Sequence, residues 1–135
     1  MAIHLDTDFL VFALSTAGSE RRRLRAATES DADLQMSAVA WYEFCRGPRT
    51  SEQLAVARAF LGEHAVVAFD EVLAARAAEV FRGLGSPRKR AADIAIGVTA
   101  AHLGALLLTR NQRDFAEIPG LRMEMVGAAS TAGGR

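Results

Sequence analysis

Four acidic residues stand where a carboxylate is either unexpected or well placed to reach a ligand. Asp6 directly follows a short predicted strand at Ile3–Leu5, Glu43 and Asp93 each interrupt an apolar helical segment, and Asp114 follows a later apolar run. Carboxylates that converge at one place repel one another, and a divalent cation is the chief means of holding them together. Oxygen ligands select hard ions such as Mg²⁺ or Mn²⁺, which accept phosphate oxygens and activate water. The pattern therefore indicates metal-dependent phosphoester chemistry.

Each acid also has an ordinary structural explanation. Asp93 can gain about 0.3–1 kcal/mol from the dipole at a helix N-terminus, and Asp6 can form a turn or a cap after its strand. Glu43 can be a surface acid on an amphipathic helix. No single residue decides between a structural and a chemical role, and a chemical role requires that all of the acids meet in the fold.

Other kinds of catalytic site find little support in the sequence. The three histidines, His4, His64 and His102, share no zinc-ligand spacing. There is no glycine-rich phosphate loop and no Gly-x-Ser-x-Gly motif. The single cysteine, Cys45, cannot close an intrachain disulfide, which favours a cytoplasmic setting.

The composition is that of a soluble globular protein, with 50% apolar and 24% charged residues in a chain of 135. This length is typical of one domain. We expect no membrane span, because no apolar stretch approaches the roughly 20 residues that cross a bilayer, and we expect no secretory signal after Met1. The net charge is zero, so charge alone neither favours nor excludes nucleic acid.

Strand and helix patterns alternate along the chain and predict the elements that position the acids. Short buried strands are predicted at 3–5, 34–36, 66–69, 105–108 and 121–126. Between them, helices are predicted to begin near Phe9, to cover 21–29, to follow a Ser37 cap, to cover 51–61 after a capping box, to follow an Asp70 cap, and to begin at Pro87 after a Ser86 cap. This order predicts an α/β fold with a mostly parallel central sheet flanked by helices.

Three features of this fold bear on the site. Ligands of open parallel sheets bind outside the carboxyl ends of the strands, where Asp6 and Asp114 are expected. The run from Ala105 to Leu108 is wholly apolar, as in a central strand buried on both faces. The helix that carries Asp93 is rich in Ala and Gly, so it can lie very close to a sheet.

Four segments in this order resemble the PIN-domain ribonucleases, and within them the VapC-like toxins of prokaryotic toxin–antitoxin operons. The segments are LDTDFL (Leu5–Leu10), SAVAWYEF (Ser37–Phe44), ADIAIG (Ala92–Gly97) and LTRNQRDF (Leu108–Phe115), and Ile118–Leu121 then leads into the closing strand. The similarity spans residues 2 to 126. It implies one PIN-like domain over 1–126, with 127–135 expected to be a flexible tail.

The resemblance implies a Mg²⁺- or Mn²⁺-dependent endoribonuclease. Asp6, Glu43 and Asp93 match the three core acids of the family, and Asp114 matches its more variable fourth. These acids are expected to hold one or two ions, to orient a water for in-line attack on RNA, and to leave a 5′ phosphate.

Further positions are candidate substrate contacts. Thr109 and Asn111 match polar positions that often line the same pocket in the family. Basic residues whose segments flank the acids are candidate phosphate contacts, namely Arg88, Lys89, Arg90 and Arg110. Two residues depart from the family pattern. Asp8 stands where Asn is frequent, and we interpret it as a cap of the first helix rather than as a site residue. Ala92 replaces a polar residue before the third acid.

The resemblance also implies partners. It implies a homodimer and a cognate antitoxin whose C-terminal segment covers the site, and it makes transfer RNA or ribosomal RNA plausible substrates because their loops expose unstacked bases. Trp41, Phe44, Phe60 and Leu61 are candidates for the antitoxin groove, although ordinary core positions would explain them equally well.

Two other functions stay open at this point. Asp6-Thr7-Asp8 after a strand also suits a haloacid-dehalogenase-like phosphatase, but that family needs a suitably placed lysine and a late acidic pair, and the only lysine here is Lys89. Alternatively, the acids could stabilise a non-catalytic PIN-like partner in an antitoxin or operator complex.

Overall fold

The computed structural model describes residues 1–127 and shows a parallel sheet at the centre of the fold. Its strands are β1 (Ala2–Leu5), β2 (Asp33–Ser37), β3 (Val66–Val67), β4 (Leu106–Thr109) and β5 (Arg122–Met125). Within the described residues the strand order is β3-β2-β1-β4-β5, and all of the pairings are parallel. The predicted α/β class is therefore confirmed. The tail predicted for 127–135 falls, from residue 128 on, outside the described residues.

Helices connect the strands. They are α1 (Thr7–Ser15), α2 (Ser19–Glu29), α3 (Ala38–Arg46), α4 (Ser51–Phe60), α5 (Glu71–Gly83) and α6 (Ala91–His102), with short 3₁₀ turns at Arg88–Arg90 and Gln112–Phe115. Three predicted N-terminal caps are confirmed, because Ser37 and Asp70 accept from backbone N–H groups and Thr50 forms a capping box with Gln53. In residues 1–127, none of these helices has both the length and the apolarity needed to cross a lipid bilayer.

The structure corrects two predicted boundaries. The third strand ends at Val67 because its partners are Met36 and Ser37, and β2 gives way to a helix at the next residue. The helix predicted to begin at Pro87 is α6, which begins only at Ala91. Ser86 does not take the extended backbone of a cap, because its φ is 56° and its N–H bonds back to Phe81 at the end of α5.

A small residue on α6, Gly97, allows a close approach, but the neighbour in contact is the segment after β4 and not a strand of the sheet. A Cβ on Gly97 would lie 2.5 Å from Ile118 Cδ1 and 3.3 Å from side-chain atoms of both Phe115 and Leu121. Contacts under 3 Å cannot persist, so the Ile118 side chain would have to move, and the branches of a larger side chain would also press on the segment. This segment includes Asp114, so the packing of Gly97 helps to position one of the candidate acids.

Gly97→Val is therefore expected to destabilise the fold by about 1–3 kcal/mol, the usual cost of overpacking a core. Urea unfolding would measure the change. The matched control is Gly83→Val at the end of α5, where an added Cβ meets nothing within 4 Å, and where we expect a change within about 0.5 kcal/mol. Equal unfolding free energies for the two variants would contradict this account.

Candidate functional site

The carboxyl ends of β1 and β4 meet at one edge of the sheet, and a cavity opens beside them. Asp6 follows β1, and its N–H donates to the carbonyl of Leu108 in β4 at 3.1 Å. The cavity has a volume of about 270 Å³. It is lined by Asp6, Thr7, Asp8, Glu43, Arg46, Arg49, Asp93 and Asp114. The four acids predicted from the sequence thus share one cavity, although Glu43 and Asp93 come from helices and not from strand ends.

Asp6 is the most buried of the four acids, with 7% of its surface exposed. One carboxylate oxygen accepts from the Thr7 N–H at 2.7 Å, which caps α1, and the other accepts from the Thr109 hydroxyl at 3.0 Å. Burial raises the pKa of Asp6 to about 7. The Thr109 hydrogen bond opposes this shift, and the neighbouring carboxylates of Asp93 and Asp8 add to it.

Asp93 is half-buried in the first turn of α6 and shows the coupling between the acids most clearly. Burial, together with the charges of Asp114, Glu43 and Asp8, raises its pKa to about 7, against a smaller opposing effect of Arg90. These carboxylates are therefore near enough to repel one another. A cation bound among them would relieve that repulsion, so the donor set fits a hard divalent ion.

Neutral donors orient the other two acids. The Thr7 hydroxyl donates to Glu43 Oε1 at 3.0 Å, and the Asn111 amide donates to Asp114 Oδ2 at 3.1 Å. In residues 1–127, however, no three Asp, Glu, His or Cys side chains lie close enough to hold one ion together. The predicted cage is thus a shared cavity without a preformed ligand set. Ion binding would need side-chain rotation or bridging waters, which Mg²⁺ usually retains.

Thr109 and Asn111 lie at the site, as the sequence predicts, and both act through the acids. Thr109 is fully buried; its hydroxyl donates to Asp6 and accepts from the N–H of Asn111 at 3.0 Å. Asn111 holds Asp114. Hydrogen bonds of this kind hold a metal-binding carboxylate in the orientation that it needs.

Thr109→Val keeps the shape of the side chain and removes the hydroxyl that orients Asp6. We expect Mn²⁺ binding, measured by isothermal titration calorimetry, to weaken by about 10–100-fold. The matched control is Thr99→Val, because Thr99 is equally buried and its hydroxyl only bonds to the Ala95 carbonyl within its own helix. Unchanged Mn²⁺ affinity in the Thr109 variant would show that this hydroxyl does not support the site.

The structure does not bring the predicted phosphate contacts to the cavity. The guanidinium of Arg110 donates to Glu20 at 2.8 Å and lies 3.5 Å from the centre of the Phe12 ring. Arg90 donates to the backbone carbonyls of Asp114 and Ala116, so it anchors the segment that carries the fourth acid. Arg88 and Lys89 are exposed, and neither lines the cavity.

Two further predictions need correction. Asp8 is not the cap of α1, because Asp6 has the extended backbone and the accepting side chain of a cap, and Asp8 lies within the helix and faces the cavity. Phe44 and Leu61 cannot form an exposed antitoxin groove, since each is only 1% exposed and belongs to the core. Trp41 and Phe60 are half-buried and pack against that core.

Sequence reasoning missed three residues that line the cavity, namely Thr7, Arg46 and Arg49. A signal for Arg46 was present, because it follows Glu43 by three residues on a predicted helix and such residues share a face. Arg49 comes after the end of that helix, where periodicity no longer indicates direction. Its place depends on the turn at Gly47 and Pro48.

Comparisons with known proteins agree with this geometry. The PIN domain family model matches residues 3–121 of the chain. The sequence has no significant match among curated proteins.

Solved structures share the fold. A chain in the crystal structure of VapBC2 from Rickettsia felis, bound to a DNA fragment from their promoter, superposes with a TM-score of 0.71 at 18% identity, covering 93% of this chain and 98% of that one. A chain of DNA-bound VapBC from Salmonella typhimurium superposes with a TM-score of 0.70 at 23% identity and with the same coverage. VapBC-1 from nontypeable Haemophilus influenzae gives 0.66 at 23% identity, again covering 93% and 98%.

Proposed function

This chain belongs to the PIN domain family, and from that premise we propose that it is a Mg²⁺- or Mn²⁺-dependent endoribonuclease, the toxin of a toxin–antitoxin pair. The observation that carries the proposal is the single cavity that Asp6, Glu43, Asp93 and Asp114 line together. Membership of the PIN domain family sets aside the haloacid-dehalogenase-like alternative, because that phosphatase family has a different fold.

The chemistry follows from the donor set. Asp6 and Asp93 would hold the ion, since burial and neighbouring carboxylates raise the pKa of both, and Glu43 and Asp114, which accept from Thr7 and Asn111, would complete its oxygen ligands. The bound ion would activate water and neutralise charge on the phosphate. A carboxylate of the cavity wall would orient the water opposite the departing 3′ oxygen, so each cut would leave a 5′ phosphate.

The toxin role draws on the solved structures of similar fold. Those from Rickettsia felis, Salmonella typhimurium and Haemophilus influenzae are described as VapBC, and another similar chain comes from a toxin-antitoxin complex of Klebsiella pneumoniae. A cognate antitoxin and a homodimer are accordingly part of the proposal. Exposed loops of transfer RNA or ribosomal RNA would be the substrates, because their bases and backbone are accessible.

The direct test uses the chain purified free of any antitoxin. It is incubated with total cellular RNA in Mg²⁺, in Mn²⁺ and in EDTA, and the ends of the products are sequenced. We expect cuts with 5′ phosphates in one or both metals and none in EDTA. The absence of a preformed ligand set favours one rival, a non-catalytic binding partner. Intact RNA in all three conditions would support that rival.

A further inference from the structure

Two arginines share the cavity with the acids without a carboxylate partner in the described part of the chain. Arg46 and Arg49 line it, yet neither takes part in the ion pairs found within residues 1–127. Their guanidiniums lie instead over aromatic rings, Arg46 at 5.5 Å from the Tyr42 centroid and Arg49 at 5.0 Å from that of Phe44. Arginines placed in this way keep their donors available for an incoming anion.

Arg49 is held in position before any ligand arrives. Gly47 makes room for it, since a Cβ there would lie 2.9 Å from Arg49 Nη2. The Nε atom of Arg49 is buried without a hydrogen-bond partner in the described part of the chain. A planar guanidinium fixed between a glycine and the Phe44 ring loses little freedom when it binds a phosphate.

The cationic surface continues from Arg49 to an exposed ring. Arg46 lies at the end of α3, and Tyr42, one turn earlier, is 63% exposed. Exposed aromatic rings beside cations are the usual platform for unpaired bases, because stacking and phosphate contacts then act together. RNA is anionic, and neither arginine is ion-paired within residues 1–127, so the charges are complementary.

We propose that Arg49, Arg46 and Tyr42 form an RNA-binding strip along which a single strand leaves the cavity. Arg49 binds a phosphate beside the scissile bond, Arg46 binds the next phosphate, and the Tyr42 ring stacks on a base. This inference rests on the proposed function and names the surface that recognises its substrate. The strip takes the role that the sequence had indicated for Arg88, Lys89, Arg90 and Arg110.

The test measures binding without cleavage. Fluorescein-labelled oligo(U) and oligo(A) are titrated with the full chain in EDTA, and anisotropy is followed over a range of salt concentrations. We expect Arg49→Gln and Arg46→Gln each to weaken binding by about tenfold and to reduce the slope of log K against log salt by about 0.7, the value for one phosphate contact on a single strand. Tyr42→Ala should weaken binding by about tenfold with an unchanged slope.

The matched control is Arg58→Gln. Arg58 is also exposed and lies over an aromatic ring, 5.4 Å from the Trp41 centroid, but it does not line the cavity. We expect this variant to bind RNA as the wild type does. An equal loss in Arg58→Gln and Arg49→Gln would overturn the proposal, because it would show only a general effect of charge.

Other outcomes separate the two proposals. If the wild type cleaves RNA while Arg49→Gln and Tyr42→Ala keep the wild-type affinity and salt slope, the proposal of an RNA-binding strip is contradicted and the nuclease proposal is supported. If the wild type binds RNA through the strip but cleaves none in Mg²⁺ or Mn²⁺, the strip proposal is supported and the nuclease proposal is contradicted. If Tyr42→Ala instead disrupts self-association in sedimentation velocity with RNA binding unchanged, the strip contacts protein and the proposal is overturned.

Discussion

Replacing either Asp6 or Asp93 with asparagine is expected to reduce Mg²⁺-dependent RNA cleavage by at least ~100-fold, the size of effect seen when one preorganised electrostatic group is removed from an active site. Asparagine preserves the shape of each side chain and can still accept the Thr7 N–H at position 6. Asparagine lacks the charge that would hold a cation, so we expect the cleavage rate to fall while the protein still folds.

The control for this experiment is Asp31→Asn, an exposed residue of the turn before β2 that lies away from the cavity. It should cleave at the wild-type rate. Asp8→Asn provides an intermediate case, because Asp8 lines the cavity but is exposed. We expect it to reduce the cleavage rate less than Asp6→Asn or Asp93→Asn does. Cleavage by Asp6→Asn and Asp93→Asn at the wild-type rate would remove the catalytic assignment altogether.

The same two substitutions should make the protein more stable in the absence of metal. The folded-state pKa of Asp6 is about 7, against an ordinary value of 3.8. The folded protein therefore binds a proton that the unfolded chain has released, and stability falls as the pH rises from about 4 through 7. Each pKa unit corresponds to about 1.4 kcal/mol, so Asp6→Asn should recover up to about 4 kcal/mol at neutral pH. The recovery should be smaller for Asp93, which is partly solvated.

A buried histidine gives folding stability the opposite pH dependence and has to be considered beside the acids. His4 is fully buried, its Nε2 has no partner within residues 1–127, and its pKa is lowered by burial from 6.5 to about 4. The unfolded chain binds that proton first, so His4 costs stability as the pH falls from 6.5 towards 4. In wild type the raised pKa values of the acids give stability the opposite pH dependence and partly cancel the contribution of His4. In Asp6→Asn less of the His4 contribution is cancelled.

Urea unfolding in EDTA at about pH 5 and about pH 8 would test both contributions. Asp6→Asn should be more stable than wild type at the higher pH, and its advantage should shrink or disappear at the lower pH. Adding Mn²⁺ should raise the melting temperature of wild type by mass action and have much less effect on Asp93→Asn. If Asp6→Asn were no more stable than wild type at the higher pH, burial and the neighbouring carboxylates would not destabilise the charged form of Asp6.

Local patterns in the sequence were enough to predict most of the framework. Apolar runs separated by capped helices predicted the parallel sheet, and Ser37, Thr50 and Asp70 cap their helices as expected. The strands and caps depend on residues within one or two turns of each other, which is why the sequence alone contains them. The sequence also placed Asp6 and Asp114 after strands, whereas the grouping of Glu43 and Asp93 with them was implied by the resemblance to a known family.

The tertiary structure decided which charged side chains face the cavity. Arg110 immediately follows β4, yet it turns away because Glu20, 90 positions distant in the sequence, accepts its hydrogen bond. Arg49 reaches the cavity although no periodic pattern places it there. The raised pKa values of Asp6 and Asp93 likewise come from burial and from carboxylates on other elements. The sequence thus determined the elements and the set of acids, whereas the direction of each cation and the charge state of each acid depend on distant residues that only folding brings into contact.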